Sequence, residues 1–248
     1  MNAPDHPADD RGAAAEAPAP DDLLAVAGGT APAETDEPSR NRAAAALRRL
    51  GHALVGRDVP AEVLERIAAV AEDHAAEADA CPVRHRPVEA LKRRLWEHAP
   101  PDGAAMSHFD ECVVSGQANP LGIAMRVRRD GDEAVARVRL GAAFEGAPQR
   151  AHGGVVAALF DDAMGYVLVI HRLPAFTGRL TVDYRAPVPV GVDVEIRARL
   201  RGREGRKLFL EATMSRLDGA DGEPQTLCHG EGVFVEIPPE RLGLPVPR

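Results

Sequence analysis

The longest nearly apolar segment of the chain, residues 154–170, strongly limits what the chain can fold into. It predicts one helix from Gly154 to about His171. Two adjacent carboxylates, Asp161 and Asp162, interrupt the segment at its centre, and holding both inside a bilayer would cost several kcal/mol. We therefore expect the core helix of a globular protein and no membrane span.

Segments with alternating apolar side chains precede and follow this helix, a pattern typical of strands with one buried face. Residues 123–127 and 136–140 flank Asp130-Gly131, a turn that tolerates positive φ, and together they predict a hairpin. Four more strands are predicted within 180–184, 192–200, 208–214 and 233–237. One helix inserted into an antiparallel sheet of five or six strands is an α+β architecture.

The chain divides into three parts. Residues 1–40 are rich in Ala and Pro and carry nine acidic side chains, so we predict a disordered acidic tail. Residues 41–99 form a helical N-terminal segment, with one amphipathic helix from Pro60 at its N1 position to about Asp79. Val88, Leu91 and Leu95 indicate a second apolar helix face. We predict that these helices dock or oligomerise, and that residues 104–240 form the sheet domain.

The charge and cysteine content exclude several classes of protein. The formal net charge is −8, which argues against a general nucleic-acid binder, and the first 40 residues account for −7 of it. Cys81, Cys112 and Cys228 are too few and too far apart for a disulfide framework. With no secretory signal visible, we expect a cytoplasmic protein.

The start of the central helix carries residues suited to chemistry. Gly153 and Gly154 leave backbone N–H groups uncovered at the positive end of the helix dipole, where a polarised carbonyl could bind. Two turns later, Asp161 shares a helix stripe with small residues, so another molecule could approach its carboxylate. Each feature alone also has a structural explanation: close packing for the glycines, and a strand cap or an arginine partner for the aspartate.

Together these residues match a family. The pattern His152-Gly153-Gly154-x6-Asp161, followed by Thr177, by Leu-Thr-Val-Asp-Tyr-Arg-Ala-Pro at 180–187 and by Gly191, resembles the PaaI-like acyl-CoA thioesterases of the hotdog-fold superfamily. The resemblance covers residues 108–237. It implies an antiparallel sheet wrapped around one long central helix, a homodimer or homotetramer with sheets paired edge to edge, and active sites at the dimer interface.

The resemblance also implies roles for individual residues. Asp161 would be the general base that activates water, or a nucleophile that attacks the thioester. The N–H of Gly153 or Gly154 would polarise the thioester carbonyl. His152 would bind near the thioester or fix the turn, and Thr177 would orient the water or the carboxylate. Relatives often have Asn or Gln before the histidine, where this chain has Gly146; Gln149 or Asn119 would take that place in substrate binding.

Two further segments bear on ligands. The turn at residues 201–207 offers four cations, and by resemblance Arg203, Arg206 and Lys207 would bind the phosphates of coenzyme A, although a solvated loop also explains them. The loop at 110–122 resembles a Cys-x-x-Cys segment in which Ser115 replaces the second cysteine, so neither a zinc site nor a redox pair is possible there. We predict no metal and no cofactor other than the coenzyme A of the substrate.

Two other functions remain open on this fold. A hydratase or dehydratase of acyl thioesters would use a histidine and a carboxylate as an acid–base pair, but its Phe-Pro loop and Asp-x4-His element are not found before the helix. A non-catalytic hotdog protein could bind acyl-CoA as a sensor or scaffold. The presence of Asp161 favours hydrolysis, because a simple binder gains nothing from a carboxylate beside a thioester.

Overall fold

A computed structural model describes residues 37–84, 99–107, 109–218 and 223–238. The predicted helix face at Val88, Leu91 and Leu95 lies outside these ranges. The elements are α1 (Glu37–Gly56), α2 (Ala61–Asp79), β1 (Ala105–Met106), β2 (Arg126–Asp130), β3 (Glu133–Arg139), β4 (Glu145–Ala147), β5 (Arg150–Ala151), α3 (Gly153–His171), β6 (Ala175–Tyr184), β7 (Asp193–Glu204), β8 (Lys207–Arg216) and β9 (Gln225–Glu236).

Seven strands form one antiparallel sheet in the order β1-β2-β3-β7-β8-β9-β6, and β4 pairs with β5 in a separate hairpin. Six of the seven match the predicted strands, and the two-residue β1 is additional. Strand β6 follows α3 directly but pairs with β9 at the far edge, so the chain crosses the sheet through the helix. This is the α+β hotdog architecture that the sequence predicted.

Helix α3 packs its apolar sides against the sheet. Its buried residues are Val156, Leu159, Phe160, Ala163, Met164, Tyr166, Val167, Leu168 and Ile170. Glycines on β9 permit this close contact: a Cβ at Gly230 would lie 2.6 Å from the Phe160 ring, and one at Gly232 would lie 2.7 Å from the Met164 sulfur. The small residues of β9 thus set how closely the helix approaches the sheet.

The apolar character of α3 follows from this position. Among the described helices, α3 has the length and composition that a membrane-crossing helix would need, with a mean hydropathy of 1.6 over its most apolar window. It lies across the sheet, in contact with β2, β3 and β6 to β9. Its hydropathy is therefore that of the predicted core helix.

The two N-terminal helices differ in their contacts. Helix α1 begins at Glu37, four residues before the predicted boundary, and contacts the short 3-10 helix Ala142–Phe144. Pro60 is the N-cap of α2 and not its N1 residue, because the first helical residue is Ala61. Helix α2 has no buried residue, so its apolar face is open in the single chain.

Candidate active site

Asp161 and Thr177 meet on the helix-facing side of the sheet. The Thr177 hydroxyl donates a hydrogen bond to Asp161 Oδ1 at 2.7 Å, although the two residues lie on α3 and β6. An irregularity in the β6–β9 pairing between Thr177 and Arg179 makes this possible. It turns Thr177 to the same side as Leu180, which a regular alternation would place on the opposite face. The predicted pair is thus brought together.

His152 caps the N-terminus of α3. Its Nδ1 accepts a hydrogen bond of 3.0 Å from the Gly154 N–H. Because Nδ1 is the acceptor, the neutral imidazole carries its proton on Nε2, which can donate to another group. The Gly154 N–H is therefore engaged, whereas the Gly153 N–H has no acceptor among the described residues. Of the two predicted amide donors, Gly153 is the one left for a substrate.

A cavity of 530 Å³ opens at this end of the helix, a size typical of small-molecule sites. His152 and Gly153 line it, together with three side chains to which the sequence analysis assigned no role: Tyr184, Arg150 and Arg185. The Tyr184 hydroxyl donates a hydrogen bond of 2.7 Å to the Gly153 carbonyl. Arg150 and Arg185 form no ion pair with the described part of the chain. Tyr184 and Arg185 belong to the family pattern at 180–187, but their position beside Arg150 follows only from the fold, in which β5 meets the end of β6.

Gly146 occupies the position at which the resemblance predicts an amide side chain. A Cβ there would lie 2.9 Å from His152 Cα, so the β4–β5 hairpin leaves no room for a side chain at this position. Gln149 lies at the tip of that hairpin, exposed, with φ of 63° after Pro148, as at the third position of a type II turn. The substrate-binding role predicted for Gln149 therefore depends on a ligand that reaches the hairpin tip.

The loop at 110–122 is held mainly by its own hydrogen bonds. The Asn119 side chain donates to the Glu111 carbonyl at 3.0 Å and accepts from the Leu121 N–H at 2.8 Å. Both ends of the amide thus stabilise the turn, so the predicted contact of Asn119 with substrate would have to displace one of them. Ser115 accepts a 3.0 Å hydrogen bond from the buried Tyr166 hydroxyl, which attaches the loop to α3.

The predicted phosphate-binding cations lie at the β7–β8 hairpin, and two of them already have partners. Arg203 forms an ion pair with Glu236, and Arg206 donates to the Glu236 carbonyl at 2.9 Å. Lys207 forms no ion pair with the described residues. The hairpin therefore offers fewer available cations than its sequence suggests.

The other reactive side chains in the described part of the chain give no alternative centre. Burial raises the pKa of Cys228 to about 11, so this thiol is a poor nucleophile at neutral pH. Asp73, His74 and Glu77 place ligand atoms within 4.8 Å of one another on α2, but all three are exposed. Exposed acidic groups of this kind are common without an ion, so they carry no metal assignment.

The chain is similar to known thioesterases. Residues 149–223 match the model of the thioesterase superfamily. Acyl-coenzyme A thioesterase THEM4 of Xenopus laevis is 39% identical over 64% of this chain and 61% of its own length. The Bos taurus THEM4 is 29% identical over 53% of each chain. The crystal structure of the thioesterase superfamily protein RHA08564 has a TM-score of 0.65 at 24% identity and covers 83% of this chain and 93% of its own.

These matches confirm the resemblance predicted from the sequence. The chain spans between 40% and 61% of the length of the curated relatives it matches. The match to RHA08564 extends beyond the sheet domain, because it covers 83% of the chain.

Proposed function

We propose that this chain, which carries a hotdog domain of the thioesterase superfamily, hydrolyses acyl-CoA thioesters to the free acid and coenzyme A. One observation carries the proposal: a single helix presents an Asp161 carboxylate fixed by Thr177 at 2.7 Å and, at its N-terminus, an amide donor at Gly153. The curated relatives, described as acyl-coenzyme A thioesterases, support the substrate class.

The proposed chemistry uses water, a carboxylate and a backbone amide. The Gly153 N–H binds the thioester carbonyl oxygen and stabilises the negative charge that develops on it. Asp161 accepts a proton from a water molecule whose oxygen bonds to the carbonyl carbon. The carbon–sulfur bond then breaks, and the thiolate of coenzyme A takes up the proton that Asp161 held.

A nucleophilic variant of this mechanism uses the same residues. Asp161 would bond to the carbonyl carbon and expel the thiolate, and water would then open the mixed anhydride to release the acid. Single-turnover hydrolysis in heavy-oxygen water identifies the nucleophilic route when water attacks the Asp161 carbonyl of the anhydride, because only that attack leaves the label in the Asp161 carboxylate. Neither route draws on a metal or a redox cofactor.

We propose that two chains build each site. Gly153 and Asp161 are separated by eight positions on α3, which is about 12 Å along the axis at 1.5 Å per residue. A carboxylate that positions water must be within about 3 Å of it, with that water beside a carbonyl bound at Gly153, so the separation is too large for one helix. We therefore assign Gly153 and Asp161 of each site to different subunits.

Strand β6 offers the surface for this pairing. It is the outermost strand beyond β9 and is ten residues long, with Phe176 58% exposed and Tyr184 52% exposed. A long edge strand with exposed apolar side chains is prone to pair with another strand. Pairing of β6 with its copy gives the proposed homodimer, and the homotetramer remains an alternative. We also propose a cytoplasmic location, which suits three free cysteines.

Two groups of cations could hold the phosphates of coenzyme A. One is the predicted group at the β7–β8 hairpin: Arg203, Arg206 and Lys207. The other is Arg150 and Arg185, which line the cavity beside Gly153. Guanidinium groups match phosphate geometry, and the second pair has no carboxylate partner among the described residues.

The backbone amide can be tested directly, because proline is tolerated at the first position of a helix. Gly153→Pro removes the N–H, and the ψ of 134° at His152 already suits a residue that precedes proline. We expect kcat for acyl-CoA to fall about 100- to 1000-fold, the usual effect of losing one oxyanion donor. Gly153→Ala is the matched control and should stay near wild type, since its Cβ would lie 3.5 Å from the Tyr184 hydroxyl.

The Asp161 carboxylate provides a second test of the mechanism. Asp161→Asn should lower kcat by about two orders of magnitude or more, as loss of a general base does, with little change in melting temperature. Full activity of either Gly153→Pro or Asp161→Asn on a panel of acyl-CoA substrates would contradict the mechanism. Tight binding of coenzyme A with no turnover of any thioester would instead support the non-catalytic alternative.

A further inference from the structure

Tyr184 is a polar side chain of the cavity that has no role in the mechanism above. It ends β6, its hydroxyl donates to the Gly153 carbonyl at 2.7 Å, and it lines the same cavity as His152. Burial raises its pKa, so the phenol stays protonated at neutral pH and acts as a donor to that carbonyl. The hydroxyl therefore contacts the peptide group between the two glycines.

That peptide group connects Tyr184 to His152. The Gly153 carbonyl and the Gly154 N–H belong to the same amide, and the Gly154 N–H donates to His152 Nδ1 at 3.0 Å. An amide whose oxygen accepts a hydrogen bond becomes a stronger donor through its nitrogen. The three groups thus form one directed chain, from the Tyr184 hydroxyl through the amide to the imidazole.

This chain determines which imidazole nitrogen carries the proton. With Nδ1 held as an acceptor, neutral His152 is the tautomer that donates from Nε2. The Gly153 N–H, at the start of the same helix, is the second donor at this end of the cavity. Two donors at the same end of one cavity suit a single acceptor, such as the carbonyl oxygen of a thioester.

We propose that Tyr184 is a positioning residue for thioester hydrolysis, holding His152 in the tautomer and orientation in which Nε2–H and the Gly153 N–H bind the same carbonyl oxygen. This inference rests on the proposed function. It assigns to His152 the role of second oxyanion donor, and to the end of β6 the task of keeping it aligned.

The first test uses Tyr184→Phe, which removes the hydroxyl and keeps the ring. We expect kcat to fall about 5- to 30-fold, less than the roughly 100- to 1000-fold loss for a direct oxyanion donor, because Tyr184 acts only through His152, with KM changed less than about twofold. The matched control is Tyr166→Phe, because Tyr166 also donates one hydrogen bond, to Ser115, but does not line the cavity. Tyr166→Phe should change the melting temperature and leave kcat near the wild-type value.

The second test asks whether Tyr184 acts through His152. In a His152→Ala background the hydroxyl has no imidazole to align, so adding Tyr184→Phe should change kcat by less than about twofold. An equal fold-loss in both backgrounds would overturn the proposal, because it would show that Tyr184 acts independently of His152.

The third test does not depend on turnover. Nitrogen-15 NMR of the His152 imidazole at pH 8 should show one tautomer in the wild type, with Nδ1 unprotonated, and a mixture of tautomers in Tyr184→Phe. An unchanged single tautomer in the variant would overturn the proposal even if the protein hydrolyses acyl-CoA. If the wild type hydrolyses no thioester, the proposed function fails, and a tautomer change would still establish the alignment.

Discussion

Thr177 reaches the site because of one irregularity in the backbone of β6. Thr177 and Leu180 are three positions apart on β6, so a regular strand would place them on opposite faces of the sheet. The shifted pairing between Thr177 and Arg179 places both toward α3, where Thr177 reaches Asp161. Gly178 lies within the shift, and a Cβ there would come within 3.2 Å of the Val235 side chain. The bulge therefore serves the site as well as the sheet.

The hydroxyl of Thr177 should matter more than its methyl group. Thr177→Val keeps the shape of the side chain and removes the hydrogen bond to Asp161. We expect kcat to fall about tenfold, which is a part of the roughly 10²- to 10⁴-fold rate increase that a general base contributes. Thr177→Ser keeps the hydroxyl and should remain within about threefold of wild type. Steady-state kinetics on one acyl-CoA substrate compare the two, and equal activity of both variants would show that the hydrogen bond is dispensable.

The two groups of cations make different predictions about substrate binding. If Arg150 and Arg185 hold the phosphates, replacing both with Ala should raise KM for acyl-CoA about tenfold or more, as loss of charge-assisted hydrogen bonds does. The same variant should hydrolyse an acyl-N-acetylcysteamine thioester, which has no phosphate, as well as wild type does.

The matched control is the hairpin variant in which Arg203, Arg206 and Lys207 are all replaced by Ala. If the hairpin binds the phosphates, this variant will show the rise in KM for acyl-CoA and the cavity variant will not. A rise for both thioester substrates would exclude a phosphate-specific role for the group tested.

At the scale of elements, alternation predicted most of the sheet because one face of each strand is buried against α3. The forecast was poorest for β9, which begins at Gln225, well before the predicted start at Val233. There the helix-facing positions 230 and 232 are glycines, and the outward positions carry His229 and Glu231. Neither face reads as apolar, so the signal disappears where the helix packs most closely.

The site residues also divide into those that the sequence predicts and those that only the fold brings together. Asp161 and the helix start could be found from the sequence because they lie in one continuous motif. Tyr184 and Arg185 lie in the segment 180–187 of the family pattern, but their place beside Arg150 could not be predicted, because the three share a cavity only through the crossing from β5 through α3 to β6. The docking of α1 was equally hidden, because it depends on residues far apart in the chain: His52 packs against Gly141, and the Arg48 guanidinium donates to the Gln117 and Asn119 carbonyls at 2.9 and 2.6 Å.

His52 fixes α1 to the sheet domain. Its Nδ1 accepts a 3.1 Å hydrogen bond from the Ala143 N–H, its ring meets Phe144 edge-on at 5.1 Å, and a Cβ at Gly141 would strike it. The Phe144 carbonyl in turn accepts from the His152 N–H at 2.9 Å. Helix α1 therefore supports the segment that leads into the site.

This contact predicts a pH dependence of stability. Burial, and then the charge of Arg48, lower the pKa of His52 below its ordinary value, which is about 6.5. As the pH falls below about 6.5, His52 binds a proton in the unfolded chain but not yet in the folded chain. The free energy of unfolding therefore decreases until the pH reaches the lower pKa of His52 in the folded chain. The contribution of neutral His52 to the free energy of unfolding is therefore complete above pH 6.5 and is lost on acidification.

His52→Asn keeps an acceptor near Nδ1 and removes the titration. We expect its melting temperature to fall less than that of wild type between pH 7.5 and pH 5.5. His74→Asn, at an exposed position on α2, is the matched control and should keep the wild-type decrease. An identical decrease in His52→Asn and wild type would show that His52 does not contribute to the pH dependence.

For the whole molecule, charge and topology lead to the same arrangement. The net charge of −8 would disfavour an anionic substrate, but residues 1–40 hold −7 of it, so the remaining chain is nearly neutral. The sheet ends at β6, next to both the Asp161–Thr177 pair and Tyr184. A second chain paired at this edge would bring its own helix to the cavity of the first.

Mixed dimers test whether the two halves of a site come from different subunits. Chains carrying Gly153→Pro and chains carrying Asp161→Asn are each expected to be inactive as homodimers. In a mixed dimer, one site receives both defects and the other receives intact Gly153 from one chain and intact Asp161 from the other. Differently tagged chains, co-expressed and purified through both tags, should therefore show about half the wild-type activity per dimer, because a two-fold interface creates two equivalent sites.

The control for this experiment is a dimer in which one chain carries both substitutions and the other is wild type. If each site combines two chains, both of its sites contain one defect and the dimer should be inactive. If each site lies within one chain, the result reverses: the doubly substituted pairing keeps about half the activity and the mixed pairing loses it, as expected for independent subunits. The two arrangements thus give opposite results from the same two substitutions, so a change in folding or expression cannot imitate either one.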